Sequence, residues 1–190
     1  MNVSEALLKR RTIRKFRQEP LNSCDITKLL EYARLAAYPA NLQPLKFAVI
    51  QDKETVNSIF PLTKWAGYLP ETGTPLENER PTAYIAVLGD KSLKDNFEVE
   101  AGAAVTSMML GAYEMGIGTC WLGAINREQL LKLFNLSADE FELVYLLALG
   151  YPAQKSQAVE MNDSIKYFED SNGCIKVPKR SLDEIIVTIK

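Results

Sequence analysis

The sequence predicts a single domain that contains both helices and strands. Three apolar runs of strand length, 46–51, 83–88 and 141–149, are separated by segments in which apolar residues recur at helical spacing. The chain has 190 residues, a typical length for one domain or for one domain with an extension. Hydrophobic residues make up 47% of it and charged residues 24%, which is ordinary for a globular chain with a sizeable core.

Two helices are predicted before the first of these strands. The segment 3–7 predicts a short helix because its apolar residues share one helical face. Apolar residues then recur at helical spacing over 26–37, with Ser23 or Asp25 as the candidate N-cap. This second helix should end near Tyr38, because the residue before a proline disfavours the α conformation.

The stretch between the first two strands predicts a short helix over 55–60, followed by a long loop or lid. Residues 61–81 contain four prolines and two glycines, which permit isolated helical turns but no long regular element. Long loops in compact domains are often functional, so Lys64 and Trp65 are candidates for contact with a substrate. Trp65 could equally be a simple anchor to the core.

A long helix rich in alanine and glycine is predicted over 97–115, where small residues allow close backbone approach. Residues 116–118 should end it, and 119–122 should enter a further strand. Asn126, with Gln129 three positions later, resembles a capping box that opens the next helix.

The C-terminal part follows the strongly apolar run 141–149, which indicates a buried strand. Residues 151–180 are expected to be irregular, with a turn at Asn172 and Gly173. Ser181 and Glu184 have the spacing of a second capping box, which predicts a short terminal helix.

The composition excludes several chemistries. The chain contains no histidine, which excludes a Ser-His-Asp hydrolase, a Cys-His nucleophile and a histidine-ligated metal site. Its three cysteines are widely spaced and form no CxxC pattern, so neither a disulfide framework nor a zinc site is expected. We therefore expect no metal and reduced thiols; Cys120 is more typical of a small buried residue than of a reactive one.

Charge and hydropathy limit the partners. The formal net charge is −2, and a general polyanion binder would be more basic, so any nucleic-acid surface would have to be a local patch. The N-terminus lacks the apolar segment of a signal peptide, and the longest apolar stretch, 143–149, is too short to span a bilayer. The expectation is a soluble cytoplasmic protein without nucleic-acid or membrane partners.

The N-terminal cluster of Arg10, Arg11, Thr12 and Arg14 suits a phosphate group. Guanidinium groups pair with phosphate oxygens in a bidentate manner, and a threonine hydroxyl adds a neutral donor. The alternative is a solvated helix end, where cations complement the C-terminal dipole. A second basic pair, Lys179 and Arg180, precedes the predicted terminal helix, whose free N–H groups favour anions; it could also be a charged linker.

Two further motifs suit a flat heterocycle. The amides of Asn41 and Gln43, in the run 39–44, can pair with the edge of a pyrimidine, although ordinary turn chemistry explains this run as well. The glycines of 116–123 allow a backbone to approach a flat ligand closely. Trp121 occupies the place where a dinucleotide fingerprint needs glycine, so that reading fails; the alternative is a helix end followed by a buried strand.

Taken together, these motifs resemble those of the FMN-dependent nitroreductase family over nearly the whole chain. The Arg-Arg-Thr-Ile-Arg run at 10–14 is similar to the family's phosphate signature, and 41–44 matches its N-x-Q-P motif. The segment 101–123 resembles its central helix and the following G-T-C-W-x-G turn, and 177–180 its closing basic pair.

The resemblance implies the α+β class, with a central, mostly antiparallel sheet flanked by helices, and an intertwined homodimer with FMN sites at the interface. Residues 1–190 would form one nitroreductase-like domain, with 61–81 as a loop excursion and 151–190 as an extension that contributes to the cofactor site. The implied FMN-binding residues are Arg10, Arg11, Thr12, Arg14, Pro39, Ala40, Asn41, Gln43, Trp121, Leu122, Gly123, Lys179 and Arg180, of which Pro39 to Gln43 would come from the other subunit.

The implied activity is that of an oxidoreductase with tightly but non-covalently bound FMN. Hydride would pass from NAD(P)H through flavin N5 to a small acceptor, such as a nitroaromatic or a quinone, in a ping-pong cycle. No protein side chain is then required as a covalent catalyst, since the cofactor carries the chemistry. Three alternatives remain open: a reductive dehalogenase or flavin-fragmenting enzyme of the same fold, a non-catalytic FMN-binding protein, and an anion-binding module.

Overall fold

The structure, a computed structural model, describes residues 2–69 and 71–189. Pro70, one of the prolines of the predicted loop, lies outside the described residues. The helices are α1 (Val3–Lys9), α2 (Ser23–Arg34), α3 (Lys53–Ile59), α4 (Glu98–Glu114), α5 (Arg127–Leu133) and α6 (Leu182–Ile185). The strands are β1 (Phe16–Arg17), β2 (Leu45–Ile50), β3 (Ala83–Asp90), β4 (Gly118–Leu122), β5 (Phe141–Pro152), β6 (Lys155–Glu160), β7 (Phe168–Glu169) and β8 (Cys174–Lys179).

The long strand β5 is the centre of a five-stranded sheet. It pairs with β3 along one edge and with β4 along the other, so that Ala148 lies between Tyr84 and Cys120. The short β1 pairs with the last two residues of β5, and β2 completes the sheet beside β3. All four pairings are antiparallel, which confirms the predicted α+β class with a central antiparallel sheet flanked by helices.

Apolar cores cover both faces of this sheet. On one face, Ile85 and Val87 of β3 pack in a core with α2 and α4. On the other, Tyr84 and Ala86 pack in a core with α3, α5 and Trp65 of the long loop. This double burial explains why β3 and β5 are continuously apolar in sequence. None of the described helices combines the length and the apolar character needed to cross a membrane.

The beginning of α2 differs from the prediction. Asn22, rather than Ser23 or Asp25, is the N-cap: its backbone is extended, and its side chain accepts a hydrogen bond from the N–H of Cys24 at 2.8 Å. Ser23 and Asp25 are inside the first turn, where Asp25 instead complements the positive end of the helix dipole.

The end of α2 also comes earlier than Tyr38. The helix ends at Arg34, with Leu35 as its C-cap. Tyr38 is extended, as a residue before proline prefers, and folds back onto the helix. Its hydroxyl donates a hydrogen bond to the carbonyl of Ala33 at 2.9 Å. A continuous helix to Tyr38 would not allow this contact.

The segment 151–180 is not irregular, and this prediction was wrong. Strand β8 pairs in parallel with β6 and antiparallel with β7, which gives a second, three-stranded sheet. The predicted turn at Asn172 and Gly173 exists between β7 and β8, where the N–H of Gly173 donates to the carbonyl of Asp170 at 3.0 Å. Most residues of β6 are exposed, so no apolar alternation marked it as a strand.

The other local predictions agree with the structure, except that the capping box predicted at Asn126 and Gln129 is only half formed. Residues 60–62 and 77–79 form short 3₁₀ turns within or beside the long loop. Ser181 and Glu184 form the complete reciprocal capping box. The side chain of Asn126 caps α5 by accepting a hydrogen bond from the N–H of Gln129. Its own N–H donates to the carbonyl of Leu62 at 2.8 Å, and not to the side chain of Gln129. This bond ties α5 to the long loop.

Gly89, near the end of β3, offers a test of the packing. A Cβ atom there would lie 2.2 Å from Cδ2 of Phe97, the N-cap residue of α4, whose ring is buried in a core of the sheet. Because the ring cannot move aside freely, we expect Gly89→Ala to lower the free energy of unfolding by about 1–3 kcal/mol. At Gly67 an added Cβ meets nothing within 4 Å, so Gly67→Ala should change the free energy of unfolding by less than about 0.5 kcal/mol. Urea denaturation measures the free energy of unfolding of both variants. Equal denaturation midpoints for Gly89→Ala and Gly67→Ala would contradict the close packing at Gly89.

Candidate functional site

A cavity of about 580 Å³ lies where the end of α1, the turn between α4 and β4, and strand β6 meet. Gly116 makes the turn possible, because its φ of 72° is left-handed and unfavourable for other residues. The residues lining the cavity are Leu8, Lys9, Arg10, Arg11, Ile13, Tyr113, Gly116, Ile117, Gly118, Thr119, Pro152, Gln154, Lys155, Ser156, Gln157, Ala158 and Cys174.

The cavity is strongly cationic. Four basic residues line it, whereas none of the described lining residues is acidic. Lys9 is paired with Glu5 at 2.8 Å, but Arg10 has no carboxylate partner in the described chain. Burial and the neighbouring charge of Arg11 lower the pKa of Arg10, which indicates that its positive charge is poorly compensated. An anion bound here would compensate the positive charge of Arg10 and so offset the free-energy cost of burying it.

Arg11 has a different role from its neighbour. Its two terminal nitrogens donate to the backbone carbonyls of Leu8 and Arg10, while its Nε is buried without a partner. The side chain therefore caps the carbonyl groups at the end of α1, as basic residues in that position often do. This interaction fixes the direction in which the chain leaves the helix.

The chain then runs beside β4. Thr12 forms a parallel bridge with Thr119, and the N–H of Ile13 donates to the Thr119 carbonyl at 2.9 Å. The N–H of Arg14 donates to Oε1 of Gln154, which lines the cavity, at 3.0 Å. Of the four predicted residues at 10–14, Arg10 and Arg11 line the cavity, whereas Thr12 lies beside the start of β4 and Arg14 beside Gln154.

Trp121, Leu122 and Gly123 lie at the other end of β4. The half-buried indole of Trp121 meets the ring of Tyr145 edge-to-face at 5.0 Å between centroids. The side chain of Leu122 is buried in a core, so only its backbone is available to a ligand, and Gly123 is exposed. The edge of β4 thus connects the cationic cavity with a half-buried aromatic ring.

The long loop returns to this end of β4. Thr63 bridges to Ile125, and the N–H of Lys64 donates to the carbonyl of Ala124 at 2.9 Å. Lys64 is exposed beside Gly123 and Ala124, as a substrate contact would require.

Of the two alternatives for Trp65, the structure shows the core anchor. Its side chain is only 8% exposed and stacks on Phe60 with 5.6 Å between ring centroids. The indole N–H donates to the hydroxyl of Thr63 at 2.8 Å. Nothing of the indole except a small fraction of its surface is available to a ligand.

The predicted residues Pro39, Ala40, Asn41 and Gln43 lie elsewhere in the chain. They form an exposed turn before β2, which is separated from β4 by three strand pairings, or roughly 14 Å. Ala40, Asn41 and Gln43 have left-handed φ angles of 49°, 53° and 48°. Backbone strain of this kind in residues other than glycine tends to occur at functional sites.

Lys179 and Arg180 are not among the residues that line the cavity. The lining nevertheless comes close to them, because Ala158 of β6 lines the cavity and is paired in register with Val177, two residues before Lys179. Arg180 pairs with Glu184 at 3.2 Å. The basic pair therefore lies near one end of the cavity without lining it.

Sequence reasoning missed the residues that β6 and the following segment contribute. Gln154, Lys155 and Ser156 line the cavity, and Ser156 Oγ is buried without a partner. Tyr167 lies against Arg14, with 4.6 Å from the guanidinium carbon to the ring centroid. No local pattern identifies these residues, because they are distant in sequence from the arginine segment at 10–14.

Cys120 is an inert thiol in this structure. It is buried in a core of the sheet, and burial raises its pKa to about 11. At neutral pH the thiol is therefore protonated and inaccessible, which favours the predicted structural role over a reactive one.

Comparison with known proteins identifies the family. A family model for nitroreductases matches residues 7–80 and 78–151, well over half of the chain. The chain belongs to the nitroreductase family. The resemblance of its motifs to those of this family is thereby confirmed.

Individual nitroreductase relatives match along most of their length. A protein of Archaeoglobus fulgidus, provisionally named an NADH dehydrogenase/NAD(P)H nitroreductase, is 30% identical over 161 residues, which cover 81% of this chain and 87% of the relative. An FMN reductase (NAD(P)H) of Bacillus subtilis is 26% identical, with 81% of this chain and 67% of that protein covered. A crystal structure described as a provisional nitroreductase in complex with FMN, from Desulfovibrio desulfuricans, superimposes with a TM-score of 0.77 at 25% identity and covers 100% of this chain and 98% of its own.

Proposed function

We propose that this nitroreductase is an FMN-dependent oxidoreductase that moves hydride from NAD(P)H to a small acceptor, such as a nitroaromatic or a quinone. The observation that carries the proposal is the cationic cavity beside β4, in which Arg10 has no carboxylate partner among the described residues. Relatives named as FMN reductases and a similar fold solved with FMN support the same cofactor.

The residues present fit the phosphate end of FMN. Arg10 and Arg14 make no ion pair in the described chain, so their N–H groups are free for phosphate oxygens. The hydroxyl of Thr12 adds a neutral donor, and Arg11 holds this segment in place by capping α1.

The flavin ring would lie along β4 towards Trp121 and Gly123. The exposed backbone at Gly123 allows close approach, and the half-buried Trp121 bounds the slot on one side. When bound, FMN supplies hydride transfer at its N5 atom, from NAD(P)H and then to the acceptor. The protein's own part is to bind, orient and shield, so that donor and acceptor occupy the same slot in turn, as a ping-pong cycle requires.

The site is incomplete in one chain, and we propose that a second copy completes it. The strained turn at 39–43 precedes β2, which is three strand pairings away from β4, so this turn cannot reach a ligand that Arg10 holds in the same chain. In a homodimer with shared sites, the turn of one subunit would approach the flavin bound by the other. Apolar side chains that a partner could cover are exposed on α1 and at the C-terminus: Val3, Leu7, Leu8, Leu182, Ile185, Ile186, Val187 and Ile189.

The purified protein tests the activity directly. Reconstituted with FMN, it should retain the cofactor on gel filtration and absorb near ~450 nm, because the flavin is the reaction centre. Under anaerobic conditions, NADH or NADPH should bleach this band, and a nitroaromatic or quinone should restore it. A protein that retains FMN but is not bleached by either nucleotide would be a binding protein rather than an oxidoreductase.

The phosphate assignment is tested by replacing Arg10 and Arg14 with alanine. Each charge-assisted bond contributes about 1.5–3 kcal/mol, so FMN affinity should fall at least about tenfold. Arg17 is the matched control: its guanidinium lies over the ring of Tyr151 and pairs with the exposed Glu19, away from the cavity. Arg17→Ala should leave the dissociation constant, measured by quenching of flavin fluorescence, unchanged. Equal losses in both variants would refute the assignment.

Shared sites predict complementation between two inactive variants. One carries Arg10→Ala with Arg14→Ala; the other carries Asn41→Gly with Gln43→Gly, which removes both amides but accepts the left-handed backbone. After subunit exchange, half of the dimers are mixed and each contains one intact site, so about a quarter of wild-type activity should return. A mixture no more active than its components would show that each site is built from one chain.

A further inference from the structure

The guanidinium of Arg14 is held in an unusual way. It lies over the ring of Tyr167, with 4.6 Å from Cζ to the ring centroid, and it makes neither an ion pair nor a side-chain hydrogen bond within the described chain. Arg11 contrasts with it, since two of its nitrogens are occupied by backbone carbonyls. Arg14 is thus oriented while its N–H donors remain free.

Tyr167 is itself fixed from two sides. Its ring meets that of Tyr68 at 5.0 Å between centroids, and its hydroxyl accepts a hydrogen bond from the backbone N–H of Tyr68 at 3.3 Å. It also packs against the core beneath the sheet. A row Tyr68–Tyr167–Arg14 therefore joins the long loop and the segment before β7 to the chain beside β4.

An aromatic ring is a suitable support for a ligand-binding cation. The negative ring face attracts the guanidinium without accepting a hydrogen bond from it, whereas a carboxylate would occupy its donors and cancel its charge. A carboxylate would also repel an anionic ligand. The half-buried Arg14 needs some such support, because a free arginine side chain samples many rotamers that binding would have to restrict.

We propose that Tyr167 is a positioning residue for cofactor binding: it holds Arg14 with its donors directed to an oxygen of the bound cofactor, and Tyr68 holds Tyr167. This inference rests on the proposed function, since it assumes that Arg14 contacts FMN. The inference adds that Tyr167, in the segment before β7, and Tyr68, in the long loop, tune cofactor affinity without touching the cofactor.

A series of ring substitutions at Tyr167 tests the proposal. Tyr167→Phe keeps the ring face, so its dissociation constant for FMN should stay within about twofold of the wild type. Replacing that phenylalanine with its trifluorinated analogue keeps the shape of the ring but weakens the negative charge of its face. Tyr167→Leu removes the aromatic face altogether. Affinity should fall progressively along the series, reaching a loss of about fivefold for leucine.

The dependence on Arg14 separates positioning from simple structural support. In an Arg14→Ala background the same ring series should leave FMN affinity unchanged, because the cation it holds is absent. Tyr151→Leu is the matched control, since it removes the ring beside Arg17 and should not alter FMN affinity in either background. Thermal denaturation of each apoprotein shows which variants are folded; the fluorinated variant keeps the test valid if leucine unfolds the chain.

Failure of this inference can be distinguished from failure of the proposed function. A wild-type protein without saturable FMN binding would overturn the proposed function and this inference together. The inference alone would be overturned if the wild-type protein binds FMN and the fluorinated variant binds it as tightly as Tyr167→Phe. It would also be overturned if the Tyr167 substitutions cause the same losses of FMN affinity in the Arg14→Ala background as in the wild type.

Discussion

Burial of β3 and β5 on both faces is the constraint on which the rest of the structure depends. Each of these strands contributes alternate side chains to two apolar cores, so neither has a face left for polar groups. Charged and polar chemistry is therefore confined to the sheet's margins, and β4 is the strand where one margin is accessible. The cationic cavity, the arginine segment and the long loop all gather along that strand because the centre of the sheet cannot hold them.

The margin beside β4 holds its charge at a cost. Arg10 is partly buried next to Arg11 without a carboxylate, and Arg11 Nε and Ser156 Oγ are buried without partners around the same cavity. A chain selected for stability alone would place an acidic residue there or expose the cations. The FMN phosphate that we propose for this cavity would carry the missing negative charge, so its binding would provide the compensation that folding omits.

The sequence allowed the sheet strands and most helices to be predicted because their burial leaves a periodic apolar pattern, as in 83–88 and 141–149. It did not allow β6 to be predicted, because an exposed strand of a small sheet carries no such pattern. The arginine segment was found because its members are neighbours in sequence. Tyr167 could not be found, since it is distant from Arg14 in sequence and only the tertiary fold brings the two together. Asn22 was missed as a cap because Ser23 and Asp25 are equally good capping residues by type.

The turn at 39–43 is the predicted part of the site that the single chain leaves apart from β4. Three residues other than glycine adopt left-handed angles there, and among the described residues the side-chain hydrogen bonds within the turn run from Gln43 to Asn41. The turn is fixed at its end by Pro44, which is buried. The carbonyl of Pro44 accepts a hydrogen bond from the backbone N–H of Asp90 at 2.9 Å. Strain of this kind persists where it presents groups in a geometry that relaxed backbone would not give. The amides of Asn41 and Gln43 are exposed, and neither residue lines the cavity beside β4, although Gln43 lines a smaller cavity with Tyr38 and Phe47. In the shared site that we propose, these amides would act on the flavin that the other subunit binds.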